Sequence, residues 1–111
     1  MLIFNKNVNK KDLNFKLLRR LDMLEFYCIT DLIITSGLRT AEYNKKIGGI
    51  KNSSHLKGLA CDIAYKTSRE LHTILISCLK AGFNRIGIGK GHVHVDIDTE
   101  KVNDVIWLEN H

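Results

Sequence analysis

The chain has 111 residues, 44% of them hydrophobic and 26% charged, with 17 Lys and Arg against 12 Asp and Glu for a net charge of +5. That length suits one domain over residues 1–111, and the composition excludes disordered, collagen-like and membrane-spanning chains. The positive charge favours anionic partners in general, but no aromatic residues interleave with the lysines and no helix-turn-helix pattern is present, so no specific nucleic-acid partner is expected.

Residues 1–4 are apolar but too few for the core of a signal peptide, so no export is expected, and no stretch approaches the length of a membrane span. Over residues 11–28, Leu13, Leu17, Leu21, Leu24 and Cys28 recur every three to four positions and predict an amphipathic helix. Residues 31–36 follow as a short buried strand, apolar and β-branched, which Gly37 ends. Residues 41–46 add a helical turn, and residues 48–58 have the composition of a loop.

A second strand is expected at 61–65. Thr67-Ser-Arg-Glu70 then forms a capping box ahead of Leu71, Ile74, Leu75, Cys78 and Leu79, with Gly82 placed for the left-handed residue after that helix. Residues 85–89 predict a strand punctuated by glycine, residues 91–98 a strictly alternating strand, and residues 102–108 a weaker helical or extended segment. The fold class that follows is α+β: a small, mostly antiparallel sheet with helices packed on one side. Cys28, Cys61 and Cys78 are an odd number without a CxxC pair, and read as buried core thiols.

Chemistry concentrates on two strands. Alternation puts His92, His94, Asp96 and Asp98 on one face of their strand and Val93, Val95 and Ile97 on the other. Asp62 shares its face with Ala60 and Ala64, two small neighbours that leave room for an ion and a water, while Cys61 faces away. His55 lies seven residues before Asp62, with Gly58 between to turn the backbone. His55, Asp62 and His94 together make a three-ligand set that leaves a fourth position of one zinc ion open, as in catalytic zinc sites. Singly, each has an ordinary explanation, such as His55 as a solvated loop residue and Asp62 as a turn cap. Jointly they do not.

Ser53-Ser-His-Leu-Lys-Gly-Leu-Ala-Cys-Asp62 fits the pattern Ser-x-His-x-x-Gly-x-Ala-x-Asp, His94-Val-Asp96 fits its His-x-Asp partner, and Ile34-Thr-Ser-Gly-Leu-Arg-Thr40 lies upstream in order. On these motifs, over about residues 31–98, the chain resembles the zinc D-alanyl-D-alanine carboxypeptidases and related phage endolysins, whose fold is hedgehog-like. The resemblance implies zinc-assisted hydrolysis of peptide bonds in bacterial peptidoglycan stem peptides or crosslinks, with His55, Asp62 and His94 as ligands and Arg39 on a substrate carboxylate or the scissile carbonyl.

Many relatives carry Glu or Asp three residues before the last histidine, where this chain has Gly91. His92, about 7 Å along the strand from His94, is the substitute as general base or transition-state stabiliser, and Asp96 is a second base candidate or an orienter of a histidine. Ser53 is expected to steady the His55 loop. His72, His111, Tyr43, Tyr65 and Trp107 are expected to be solvated, packing or cleft-wall residues. A monomer is expected, held in a host cytoplasm until release to the wall if it is an endolysin. The alternative that Gly91 raises is a catalytically inactive zinc-binding module recognising wall peptides or a protein partner.

Overall fold

The computed structural model describes residues 1–109. Its elements are β1 (Leu2–Phe4), α1 (Phe15–Tyr27), β2 (Leu32–Ser36), α2 (Ala41–Lys46), β3 (Ala60–Ala64), α3 (Ser68–Lys80), β4 (Arg85–Ile88), β5 (His92–Asp96) and β6 (Val105–Leu108), with 3-10 turns at Lys10–Asp12 and Ser54–Lys57. The six strands form one sheet in the order β1-β2-β3-β5-β4-β6. The three inner pairs are antiparallel and the two outer pairs parallel, so the sheet is mixed with an antiparallel centre.

Each long helix begins where a side chain satisfies the first free backbone N–H groups. Asn14 Oδ1 accepts from Lys16 N at 2.8 Å, which starts α1 four residues later than its apolar spacing suggests, although Leu13 still packs in the core. In α3 the expected capping box forms: Thr67 Oγ1 accepts from Glu70 N at 3.1 Å and Glu70 Oε1 accepts from Thr67 N at 3.3 Å. The apolar faces of both helices, carrying Leu17, Leu21, Leu24, Ile74 and Cys78, bury against Leu32, Ile34, Ile63, Ile86, Val93 and Val95 on one face of the sheet. Removal of this apolar surface from water is the main force holding the layers together. The three cysteines are buried and free; burial pushes the Cys61 thiol well up and that of Cys78 up to about 12, so neither is a ready thiolate.

Two strand boundaries differ from the periodicity. Gly91 has φ +79° and belongs to the turn before β5, and β5 stops at Asp96 because Asp96 Oδ1 accepts from Asp98 N and Asp98 Oδ1 accepts from Glu100 N, closing successive side-chain turns. Of the segment at 102–108, Val105–Leu108 is a strand, pairing with β4 from Arg85↔Val105 to Ile88↔Leu108, after Asp104 turns the chain at φ +60°. At Gly58, φ is +70° and a Cβ would stand 2.7 Å from Asp12 O, while Gly58 O accepts from Asn14 N at 2.9 Å. Gly58→Ala is therefore expected to destabilise by at least about 1–2 kcal/mol, read from the urea midpoint, with the strained backbone conformation alone accounting for that much.

Candidate metal centre

The face of the sheet opposite the helices gathers the polar residues. In the β3–β5 ladder Asp62 pairs with His94, Ala64 with His92 and Ala60 with Asp96, so the register sets Asp62 beside His94 between two alanines. His55 comes from the 3-10 turn Ser54–Lys57, which Ser53 caps by accepting from His55 N at 3.2 Å and which Gly58 ends in left-handed backbone. Ser54 Oγ donates to buried Asp98 at 2.8 Å, and Arg39 N donates to His55 O at 3.1 Å, fixing the turn from both sides.

These elements bring His55 Nε2, His94 Nδ1 and Asp62 Oδ1 into a triangle with edges of 3.2, 3.3 and 3.4 Å. All three residues are buried, and Asp62 Oδ1 makes no hydrogen bond among the described residues. A tetrahedral ion bonded at about 2.0–2.1 Å separates its ligand atoms by about 3.3–3.4 Å, so the triangle has the size of one face of such a site. The tautomers also suit it. His55 Nδ1 donates to Gly37 O at 2.8 Å and His94 Nε2 donates to Asp96 Oδ2 at 2.6 Å, so that in the neutral rings the lone pairs of the inner nitrogens face Asp62. Buried donors with one orphaned carboxylate oxygen and preset tautomers fit a single divalent ion.

The charges of the metal-free centre are coupled. Burial raises the pKa of Asp62, but contact with His55 and His94 lowers it more and holds the carboxyl far below the usual range. For His94, burial lowers the pKa while contacts with Asp62 and Asp96 raise it further, to about 9. An incoming ion must displace that proton, so divalent-metal affinity is expected to climb about tenfold per pH unit from pH 7 and to level off above about 9. Chelator competition at several pH values checks this; a flat profile would remove His94 Nδ1 from the ligand set. The raised pKa also means that its contribution to metal-free stability is complete below 6.5 and is lost as pH rises through about 9.

A cleft of about 540 Å³ opens over the centre, lined among others by Arg39, Ser54, His94, Arg85, Trp107 and Glu109. Arg39 is buried: Nη2 lies 3.6 Å from Asp62 Oδ2, Nη1 donates to Asn44 Oδ1 at 2.9 Å, and Nε has no hydrogen-bond partner among the described residues. Asn44, on α2, also donates to Ile50 O at 2.7 Å and so anchors the guanidinium to the loop beyond. On the opposite side His92 Nε2 donates to Glu109 Oε1 at 2.7 Å, and Trp107 Nε1 donates to Glu109 Oε2 at 3.2 Å. The hydrogen bond to Glu109 raises the pKa of His92, burial opposes it, and nearby Asp62 adds to the rise.

Asp96 is fully committed: Oδ2 holds His94, and Oδ1 accepts from Arg85 Nε at 2.7 Å and Asp98 N at 3.0 Å. Burial raises its pKa, but these contacts lower it further and keep it ionised. Of the residues singled out in the sequence, His55, Asp62, His94, Asp96, Arg39 and His92 thus meet in one region. Cys61 packs in the core, His72 is exposed on α3, and Tyr65 donates to Gly89 O at 2.7 Å. His111 lies outside the described residues.

Sequence reasoning missed Asn44, Ser54, Arg85 and Glu109. A signal existed for the last, because in an extended 105–109 segment Val105, Trp107 and Glu109 share a face, and the alternate glycines Gly87 and Gly89 mark a strand that something approaches closely. Asn44 carried none, since a lone asparagine in a polar turn has no pattern.

Among curated protein sequences, none matches the chain. Among solved structures, the fold is similar to that of the Serratia marcescens L-Ala D-Glu endopeptidase ChiX, with a TM-score of 0.64 at 16% identity over 88% of this chain and 92% of that one. At that identity the likeness is one of fold. The sequence profile of the Peptidase M15 family matches residues 3–98, a span that holds the buried triangle, Arg39, His92 and Asp96. On that match the chain belongs to the Peptidase M15 family.

Proposed function

We infer that this protein is a zinc-dependent peptidase that hydrolyses peptide bonds in the stem peptides or crosslinks of bacterial peptidoglycan, working as a cell-wall lytic enzyme of the endolysin kind. The observation that carries the reading is the buried triangle of His55, Asp62 and His94 at the base of a cleft that also presents a buried arginine. Family membership supports a peptidase, and the similar endopeptidase of Serratia marcescens supports a short wall peptide as the substrate class. The net charge of +5 suits an anionic wall, and no described helix is long and apolar enough to cross a membrane.

Zinc, when bound by His55 Nε2, Asp62 Oδ1 and His94 Nδ1, supplies Lewis acidity for activating water and polarising a carbonyl. The protein's own groups do the rest. Asp96 orients His94 and keeps its Nδ1 turned inward, and Arg85 holds Asp96 in place. Arg39, tethered by Asn44, directs positive charge into the cleft, toward a substrate carboxylate or the oxygen of the scissile carbonyl as negative charge develops there. His92, whose Nε2 donates to Glu109, is held toward its cationic form and adds positive charge beside the cleft. Before release to the wall, such an enzyme resides in the host cytoplasm as a monomer.

The test is digestion of purified sacculi and crosslinked muropeptides by zinc-loaded protein, with products read by mass spectrometry. Paired new amino and carboxyl ends at one bond type support the reading and name the bond. Intact peptides across neutral pH sink it. The glycine at position 91 favours a second reading, a zinc-binding module without turnover, and muropeptide binding by wild type with no new ends would establish that one.

A further inference from the structure

Amide hydrolysis needs a group that takes a proton from water and delivers one to the leaving nitrogen. The three ligand residues turn their donor atoms to one another, and both oxygens of Asp96 are engaged by His94, Arg85 and the backbone of Asp98. Gly91 gives β5 no side chain at its entry. A carboxylate reaches the same place from the other end of the chain. Glu109 follows β6, and its backbone N–H donates to Ile88 O at 2.8 Å, extending the register beside β4. Its side chain lines the cleft, and one of its oxygens, a ring nitrogen of His92 and a carboxylate oxygen of Asp62 lie within 4.8 Å of one another. Across that distance one water can hydrogen-bond to both carboxylates, since two such bonds span about 5.5 Å.

The fold makes room for this group. On the site face of β4, a Cβ at position 87 would stand 2.8 Å from Glu109 Oε2 and from Trp107 Nε1, and one at position 89 would stand 2.1 Å from the His92 ring. Arg85, on the same face, stacks over Trp107 with its guanidinium carbon 4.9 Å from the ring centroid. Two glycines, an arginine and the chain's single tryptophan therefore frame one carboxylate, which accepts from His92 and Trp107 through different oxygens. A carboxylate has about four acceptor positions, so two such bonds leave capacity for water.

We propose that Glu109 is the catalytic carboxylate of this peptidase, supplying from the end of β6 the proton transfers that β5 is not equipped to make. As a water oxygen bonds to the scissile carbonyl carbon, Glu109 takes the proton that the water releases. As the carbon–nitrogen bond breaks, it returns that proton to the leaving amine, so one water is consumed and one carboxyl and one amine end appear. His92 and Trp107 hold the carboxylate in line for both transfers. This assignment rests on the peptidase reading above.

The test compares wild type, Glu109→Gln and Glu109→Asp on a muropeptide that wild type cleaves, with zinc binding to each protein measured by calorimetry. Glutamine keeps the shape and an acceptor for Trp107 Nε1 but is no base. The expected result for Glu109→Gln is a fall in kcat of roughly 10²–10⁴-fold, with KM and zinc affinity each within about threefold of wild type and one zinc per chain. Unchanged zinc binding shows the variant folded at the site, and Glu109→Asp is expected to recover part of kcat. A kcat above about half that of wild type in Glu109→Gln overturns the proposal. Zinc binding that weakens about tenfold or more, or a second ion that the variant loses, makes Glu109 a ligand and overturns it as well. Wild type inert on every muropeptide overturns the peptidase reading along with it, whereas an active wild type and an active variant overturn this assignment alone.

Discussion

Asp62→Asn is expected to lower zinc affinity by roughly 10²–10³-fold and to take muropeptide hydrolysis with it, while leaving the sheet intact. Zinc held by a full set of protein ligands is bound by about 10–16 kcal/mol, or roughly 3–4 kcal/mol for each ligand, and asparagine keeps the shape but not the charge. Asp62 should be the most sensitive position of the three. Its Oδ1 stands 3.3 Å from His55 Nε2 and 3.4 Å from His94 Nδ1, and its negative charge holds the pair of imidazoles together. Asp96→Asn provides the contrast: it acts only through His94, so a loss of about 10–100-fold in affinity is expected. Calorimetric zinc titration of both variants checks the ranking, and equal losses would mean that Asp96, too, touches the ion.

Arg39→Ala should lower kcat/KM by roughly 10²–10³-fold, the usual effect of removing one preorganised donor from a developing oxyanion. Arg39→Lys is expected to recover little, because a lysine cannot reach Asn44 and Asp62 with one planar fork. The kinetic split names the role. A rise in KM alone means that Arg39 holds a substrate carboxylate, and a fall in kcat alone means that it acts on the scissile carbonyl. An unchanged kcat/KM would remove it from the site. Without the guanidinium, Asp62 also becomes a less compensated buried charge, so the metal-free Tm should drop and added zinc should restore much of it. That thermal readout does not depend on any substrate.

The Asp62 and Arg39 predictions differ in how visible their residues were. Asp62 and His94 stood out because a strand has a period of two, and the alternation His92-Val-His-Val-Asp96 separates a donor face from an apolar face before any partner is known. Arg39 was legible only through its neighbours in a motif. Its burial and its hold on Asn44 come from α2 and the loop through Ile50, elements that carry no periodic signal. β1 escaped notice for a related reason: three residues have no pattern of their own and become a strand only beside the exposed edge of β2, which they match from Leu2↔Leu32 to Phe4↔Ile34. The C-terminal segment was ambiguous between helix and strand, so the shared face of Trp107 and Glu109 stayed hidden until β4 gave it a partner.

By itself, the sequence determined the α+β class, the two amphipathic helices, the strands that carry Asp62 and His94, and His55, Asp62 and His94 as a set that could hold a metal ion, because each of these is written in local periodicity, caps or a contiguous motif. Only the tertiary structure decided which atoms of the triangle face one another, that Arg39 lies against Asp62, that Asp96 serves His94, and that Glu109 arrives beside His92. Arg39 and Asp62 are 23 positions apart and His92 and Glu109 are 17 apart, the His55 tautomer is set by Gly37 O on another segment, and whether Asp96 turns to its strand neighbour His94 depends on Arg85 holding its other oxygen; no local pattern carries these. The buried triangle is the point where the two kinds of information meet: the strands supply its residues, and the β3–β5 register and the His55 turn close it to within hydrogen-bonding distance.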